Sequence, residues 1–270
     1  LEGLWHNSFS QTLGTTVEKD LTRQMASSPL PRGSMPLTDI QERSISQGHD
    51  LTASARGLQI PINLAFRDTP DRLVCVNNID QPLRIANLSI RVVGPTQETL
   101  QSLQHDWEEW LADQERIKAL PEAEAIAAAR ALDDSVPNLS SIMLLVKAEG
   151  KTALLTGDGL GEHLLAGLQQ AGLLDADGTF HVDVFKLPHH GSARNVTAEL
   201  FDRIIADTYV ICANGKHDNP DYQTLEWLVE AAIRQGRSFT IVATTETESI
   251  KAMVKKFAPE QSSYKLIFIE

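Results

Sequence analysis

Cysteine is scarce in this chain: 270 residues hold two, Cys75 and Cys212. Two distant thiols, each inside an apolar run, are no disulfide framework. They read as buried free thiols of a reducing compartment, which points to the cytoplasm. Basic residues are also in deficit: 24 Lys and Arg stand against 36 Asp and Glu, a formal net charge of -12. That balance repels a phosphate backbone and disfavours long nucleic acid as a general partner, while leaving room for a local basic pocket. No apolar run approaches the roughly 20 residues of a membrane span. No secretory signal and no internal repeat are visible. The length suffices for one sizeable core or two small ones.

What is present is concentrated between residues 151 and 192. Two apolar runs each end in metal-ligand residue types. Residues 152–156 stop at Gly157-Asp158-Gly159, and residues 182–187 stop at Pro188-His189-His190-Gly191-Ser192. Between them Leu164, Leu165, Leu168 and Ala171 recur at helical spacing. Strand, helix and strand with a right-handed crossover predict a parallel pair. Asp158 and His189/His190 are then expected at the same carboxyl edge of the sheet, where open α/β sheets bind ligands. Carboxylate plus imidazole suits a divalent zinc, manganese or iron ion. A strand-end aspartate alone reads as a helix N-cap, and a histidine pair alone as a hydrogen-bonded loop. Their coincidence at successive strand ends predicts a metal site.

The remaining segments frame this stretch. Residues 18–39 are rich in Ser, Pro and Gly and read as a surface loop. Residues 39–58 read as helix in two pieces, 60–66 as an extended link, and 72–78 and 88–95 as strands. Thr96 precedes a helix over 97–117, whose stripe of Leu100, Leu103, Trp107, Trp110 and Leu111 reads as core packing. An alanine-rich helix over 121–131 follows. Residues 141–147 and 151–157 flank Glu149-Gly150 as a hairpin. Both runs are apolar on both faces, which predicts a sheet buried on both sides. Beyond the histidines, Arg194 is suited to a phosphate or carboxylate. A strand over 209–213 leads into a third polar loop, residues 214–220, and helix, strand, helix and strand complete an α/β layer.

The text NLSSIMLLVKAEGKTALLTGDG followed by DVFKLPHHGS resembles the metallo-β-lactamase fold. It is most similar to the group related to the metallo-hydrolase domain of ComEC-type DNA-uptake channels. That group carries TGD, then HHGS one helix later, then a strand and a loop with a further His or Asn. The resemblance spans roughly residues 136–228. It implies an αββα sandwich and two divalent metal ions, zinc or manganese. Asp158 would bridge them and hold a metal-activated water, and His189 or His190 would bind one. The other histidine, with His190 the candidate, would hydrogen-bond the leaving group. The implied reaction is hydrolysis of a phosphodiester or related substrate, and the acidic balance favours a small or short one.

The family's H-x-H-x-D-H motif is absent, since the histidines at 6, 49, 105, 163, 181, 189, 190 and 217 do not form it. The chain begins at Leu1 with LEGLWHNSF, which resembles a strand that follows the first half of the family's sheet. The expectation is a single domain over 1–270 that is mainly the carboxyl-terminal half of the sandwich. It would carry a loop-rich insertion at about 18–70 and a helical excursion at about 97–132. A missing amino-terminal half, a fragment or a partner chain would complete the site. Asn138 stands where many relatives place a histidine ligand; it reads equally as a water-orienting group and as a turn residue. The third loop has Asp218-Asn219-Pro220 where the group has Gly-His-Pro, so Asn214, His217 and Asn219 join Asn138 and Arg194 as substrate-side candidates.

Three other readings weigh less. A non-catalytic interaction module fits the absent motif but not the intact TGD and HHGS. A phosphate-cradling loop fits poorly, because Gly157, Gly159 and Gly161 have the wrong spacing and Asp158 the wrong charge. Ser192 lies outside any G-x-S-x-G, which disfavours a serine hydrolase.

Overall fold

The structure, a computed structural model, describes residues 3–7, 12, 50–103, 105, 140–215 and 218–269. Asn138, His217, the loop before residue 50 and the helical excursion beyond 105 lie outside the described residues. The chain divides into two compact units, Leu1–Val74 with Gln97–Ser140, and Cys75–Thr96 with Ser141–Glu270. Both segments expected as an insertion and an excursion fall in the first unit.

In the first unit, asparagine side chains do the work of a ladder. Among the described residues of the expected opening strand, Leu4 makes a single parallel bridge, to Ile62. Asn63 is 1% exposed. Its Nδ2 donates to the carbonyls of His6 (2.8 Å) and Arg72 (3.0 Å), and its Oδ1 accepts from His6 N–H. Asn7 likewise exchanges two bonds with Val74. Residues 60–66 are not one extended link: they end in the short turn Leu64–Phe66. Helix α1 covers residues 50–57, and α2 is described over 97–103. Residues 72–78, expected as a strand, make none. Asn7 satisfies the backbone at Val74, and Val76–Asn78 is a 3-10 turn.

The second unit is α/β, built on an eight-stranded mixed sheet whose strands lie in sequence order. They are β1 (Leu83–Ile85), β2 (Leu88–Gly94), β3 (Met143–Ala148), β4 (Lys151–Leu155), β5 (Phe180–Lys186), β6 (Ile204–Ile211), β7 (Phe239–Ala243) and β8 (Tyr264–Phe268). Pairing is antiparallel from β1 to β4 and parallel from β4 to β8. The β3–β4 hairpin turns on Glu149 (φ 49°) and Gly150 (φ 78°), the two positive angles a tight two-residue turn requires.

Helices α3 (Gly161–Gln170), α4 (Ala198–Arg203), α5 (Tyr222–Arg234) and α6 (Glu248–Lys256) connect or follow the parallel strands. Sequential parallel strands joined by right-handed crossovers place such helices on one face. The core agrees: Leu164, Leu168, Leu200, Leu225, Leu228, Ile250 and Met253 of the helices form one cluster with Leu154, Phe185, Tyr209 and Ile241 of the sheet. Gly167 lets α3 come close to β2, since a Cβ there would lie 2.0 Å from the Val93 carbonyl oxygen.

The hairpin is not buried on both faces as its composition predicts. Leu154 is fully buried, but Leu144, Val146 and Ala153 are only half-buried, and Leu155 is 41% exposed. The one-sided crossovers put α3 to α6 on the other face, the one that holds Leu154. No helix among the described residues is long and apolar enough to cross a membrane.

Candidate functional site

Three strand ends meet at the carboxyl edge of the sheet. Thr156, fully buried just beyond β4, donates its hydroxyl to the Lys186 carbonyl at the end of β5 (2.8 Å). This ties two neighbouring strand ends together before either loop begins. Gly157 then turns the chain with φ 53°, a conformation that favours glycine, and Asp158 follows, half-buried.

The histidine loop docks on this turn. His189 N–H donates to the Gly157 carbonyl at 3.0 Å. Asn195, 4% exposed, donates its Nδ2 to the Asp158 carbonyl at 2.9 Å and accepts Gly161 N–H on its own carbonyl at 2.7 Å. Thus the two motifs the sequence singles out lie side by side at one edge.

His189 (φ 43°, ψ 49°) and His190 (φ 59°, ψ 15°) are consecutive left-handed residues. Such backbone is unfavourable for non-glycine residues and persists where surrounding contacts impose it, often at functional sites. The two rings are 6.0 Å apart between centroids and inclined at 75°. Nδ1 of His190 is bonded to the Cys212 carbonyl, one residue beyond β6. A carbonyl only accepts, so Nδ1 carries a proton, and it is the neutral tautomer of this ring that presents Nε2 as a lone pair. Metal-binding histidines are commonly oriented in this way.

Three of the substrate-side candidates, Arg194, Asn214 and Asn219, sit around this edge. Arg194 is exposed, and its N–H donates to Ser192 Oγ at 3.3 Å. Asn214 is exposed and Asn219 half-buried on the third loop, which follows the strand end that receives His190. Two residues escape the sequence reading. Asn195 resembles any loop asparagine. Asp221 resembles a simple N-cap, yet its Oδ2 accepts Ala193 N–H at 2.7 Å and its own N–H donates to the Gly191 carbonyl at 3.0 Å.

The donor types fit a zinc- or manganese-class ion, with a carboxylate and an Nε2 lone pair at one edge. Their number is small. Among the described residues, no group of three or more His, Cys, Asp or Glu side chains is placed to hold a metal.

The amino end of β4, set against the middle of β5, has a different chemistry. Lys151 and Thr152 both bond the Asp183 carboxylate, Thr152 through its N–H (2.9 Å) and its hydroxyl (2.8 Å). The Lys151 bond and then those of Thr152 hold the Asp183 carboxyl well below the usual carboxylate range. That cluster is internally satisfied and locks β4 to β5.

No family model matches the chain, and no curated protein matches it.

Proposed function

We propose that the chain carries part of the metal site of a hydrolase with the αββα metallo-β-lactamase architecture, acting on a phosphodiester or related small substrate. The observation that supports it is the carboxyl-edge junction: Asp158 beside two left-handed histidines, with His190 Nδ1 bonded to a main-chain carbonyl. Asp158, His189 and His190 would hold two divalent ions. When bound, such ions lower the pKa of a water toward about 7 and polarise the scissile bond.

The chain's own residues have definable roles in this scheme. Asp158 fixes the position of the attacking water. His190, protonated at Nδ1, keeps Nε2 available at the edge, as metal donor or as partner of the leaving group. Arg194 on the rim draws an anionic substrate group, with Asn214 and Asn219 beside it. Asn138 and His217 belong to the same proposal. The net charge of -12 favours a small or short phosphoester. A catalytic centre of this kind needs more ligands than the described residues bring together. Further protein would supply them, and the half-exposed apolar face of Leu144, Val146 and Leu155 gives it a surface to cover. Cys75, buried, and Cys212, half-buried, suit a reducing cytoplasmic setting.

A non-catalytic module of the same fold is the second reading, favoured by the small donor set. Hydrolysis of bis(p-nitrophenyl) phosphate with added zinc or manganese, by the chain in its native protein, separates the two. Asp158→Ala is expected to reduce turnover to background while the folded state persists. An Asp158→Ala protein with normal turnover would end the hydrolase reading.

A further inference from the structure

We propose that Asp221 is a positioning residue that holds the histidine loop in its left-handed turn. The inference rests on the reading that His189 and His190 form the site. Asp221 is the N-cap of α5, where an aspartate ordinarily accepts an N–H of its own helix. It makes no such side-chain bond. Its Oδ2 instead accepts Ala193 N–H at 2.7 Å, and its N–H donates to the Gly191 carbonyl at 3.0 Å. These two bonds grip the chain immediately after the two strained histidines.

Packing at the same corner points the same way. Gly191 has φ +87°, and a Cβ there would lie 2.8 Å from Pro220 Cβ. Residues 220–221 therefore press directly on the turn that follows His190. The rest of the loop is tied by main-chain bonds, His189 N–H to Gly157 and Ser192 N–H to the His189 carbonyl, and by the His190 ring on the Cys212 carbonyl. Asp221 adds a side-chain clamp that one substitution removes without changing the main chain. A residue serving only α5 would act through its negative charge at the helix N-terminus. A clamp acts through an acceptor oxygen, which asparagine retains.

The experiment compares wild type, Asp221→Ala, Asp221→Asn and Asp158→Ala by amide hydrogen exchange, imidazole nitrogen shifts and equilibrium dialysis against zinc. In Asp221→Ala, Ala193 should exchange about tenfold faster or more, as expected for loss of a charge-assisted bond. The His189 and His190 imidazole signals should move, and Tyr209 in the core should keep its protection. Zinc affinity should fall about 10–100-fold, the usual effect of removing a group that orients a ligand. Asp221→Asn should restore each readout to within about threefold of wild type. Unchanged Ala193 exchange in Asp221→Ala, unchanged zinc affinity despite altered exchange, or an Asn variant as defective as the Ala variant would each overturn the proposal. A wild type that binds no zinc, or an Asp158→Ala protein that binds it equally, overturns the metal reading instead. Exchange and imidazole shifts then decide the clamp by themselves.

Discussion

The two faces of the sheet are made from similar residues and meet different surroundings. On one, Leu154, Phe185, Tyr209 and Ile241 are fully buried beneath α3 to α6. On the other, Leu144 and Val146 are half-buried, Leu155 is 41% exposed and Ile267 is 46% exposed. Composition does not separate them; topology does. A run of parallel strands in sequence order sends every right-handed crossover to the same side. Helices α3 to α6 take the first face, and contiguous exposed apolar patches such as the second commonly mark interaction sites.

The sharpest test removes the same kind of group from each face. Phe185→Ala should lower unfolding free energy by about 3–5 kcal/mol, from lost burial plus a cavity. Leu155→Ala should cost less than about 1 kcal/mol, because its side chain already meets water. Urea denaturation of the isolated chain checks both, and equal losses would show that the faces are alike.

Gly167→Ala is next in size. The added methyl would overlap the Val93 carbonyl on the covered side, so a loss of about 1–3 kcal/mol is expected. A neutral result would show that α3 does not sit as close to β2 as described.

A smaller contrast runs along the strands, between the satisfied amino end and the strained carboxyl end. The folded pKa of Asp183 is depressed, first by Lys151 and then by Thr152. A depressed carboxylate contributes stability above its unfolded pKa of about 4 and loses it as pH falls through the folded value. Asp183→Asn should therefore flatten the decline in urea midpoint below about pH 4. An unchanged acid limb would show that the cluster does not persist in solution. At the carboxyl end, Arg194→Ala should leave stability within about 0.5 kcal/mol and raise KM more than it lowers kcat. The reverse split would remove Arg194 from substrate binding.

The β4–α3–β5 unit was legible because its signals are local. Two apolar runs, a helical spacing and two glycine-flanked polar clusters fix a parallel pair and its loaded edge. Strand β1 was missed because the β1–β2 turn places Ala86 at φ 53°, with no glycine to mark it. Residues 72–78 look like a strand, but Asn7, far away in sequence, takes the ladder's place at Val74. Apolar residues on both sides of β3 and β4 say nothing of which side helices α3 to α6 take. Asp221 was overlooked for a related reason: its sequence position marks a cap, and only the tertiary fold shows its carboxylate turned to another loop.

The order of the strands in the sheet has a consequence in time. From β3 onward each strand pairs with the one synthesised just before it. Connections are then short for a parallel sheet, itself a slow topology to form, and the sheet can grow unit by unit from the amino end as the chain is made. The exception is β2 with β3, where Gly94 faces Met143 across a long connection. Closing that gap should be the slow step, and later strands should add to an existing edge. Asp158 and the histidine pair depend on β4, β5, the end of β6 and the start of α5, all of which precede β7 and β8 in the chain. Pulsed hydrogen exchange during refolding should find β4 and β5 protected ahead of β8.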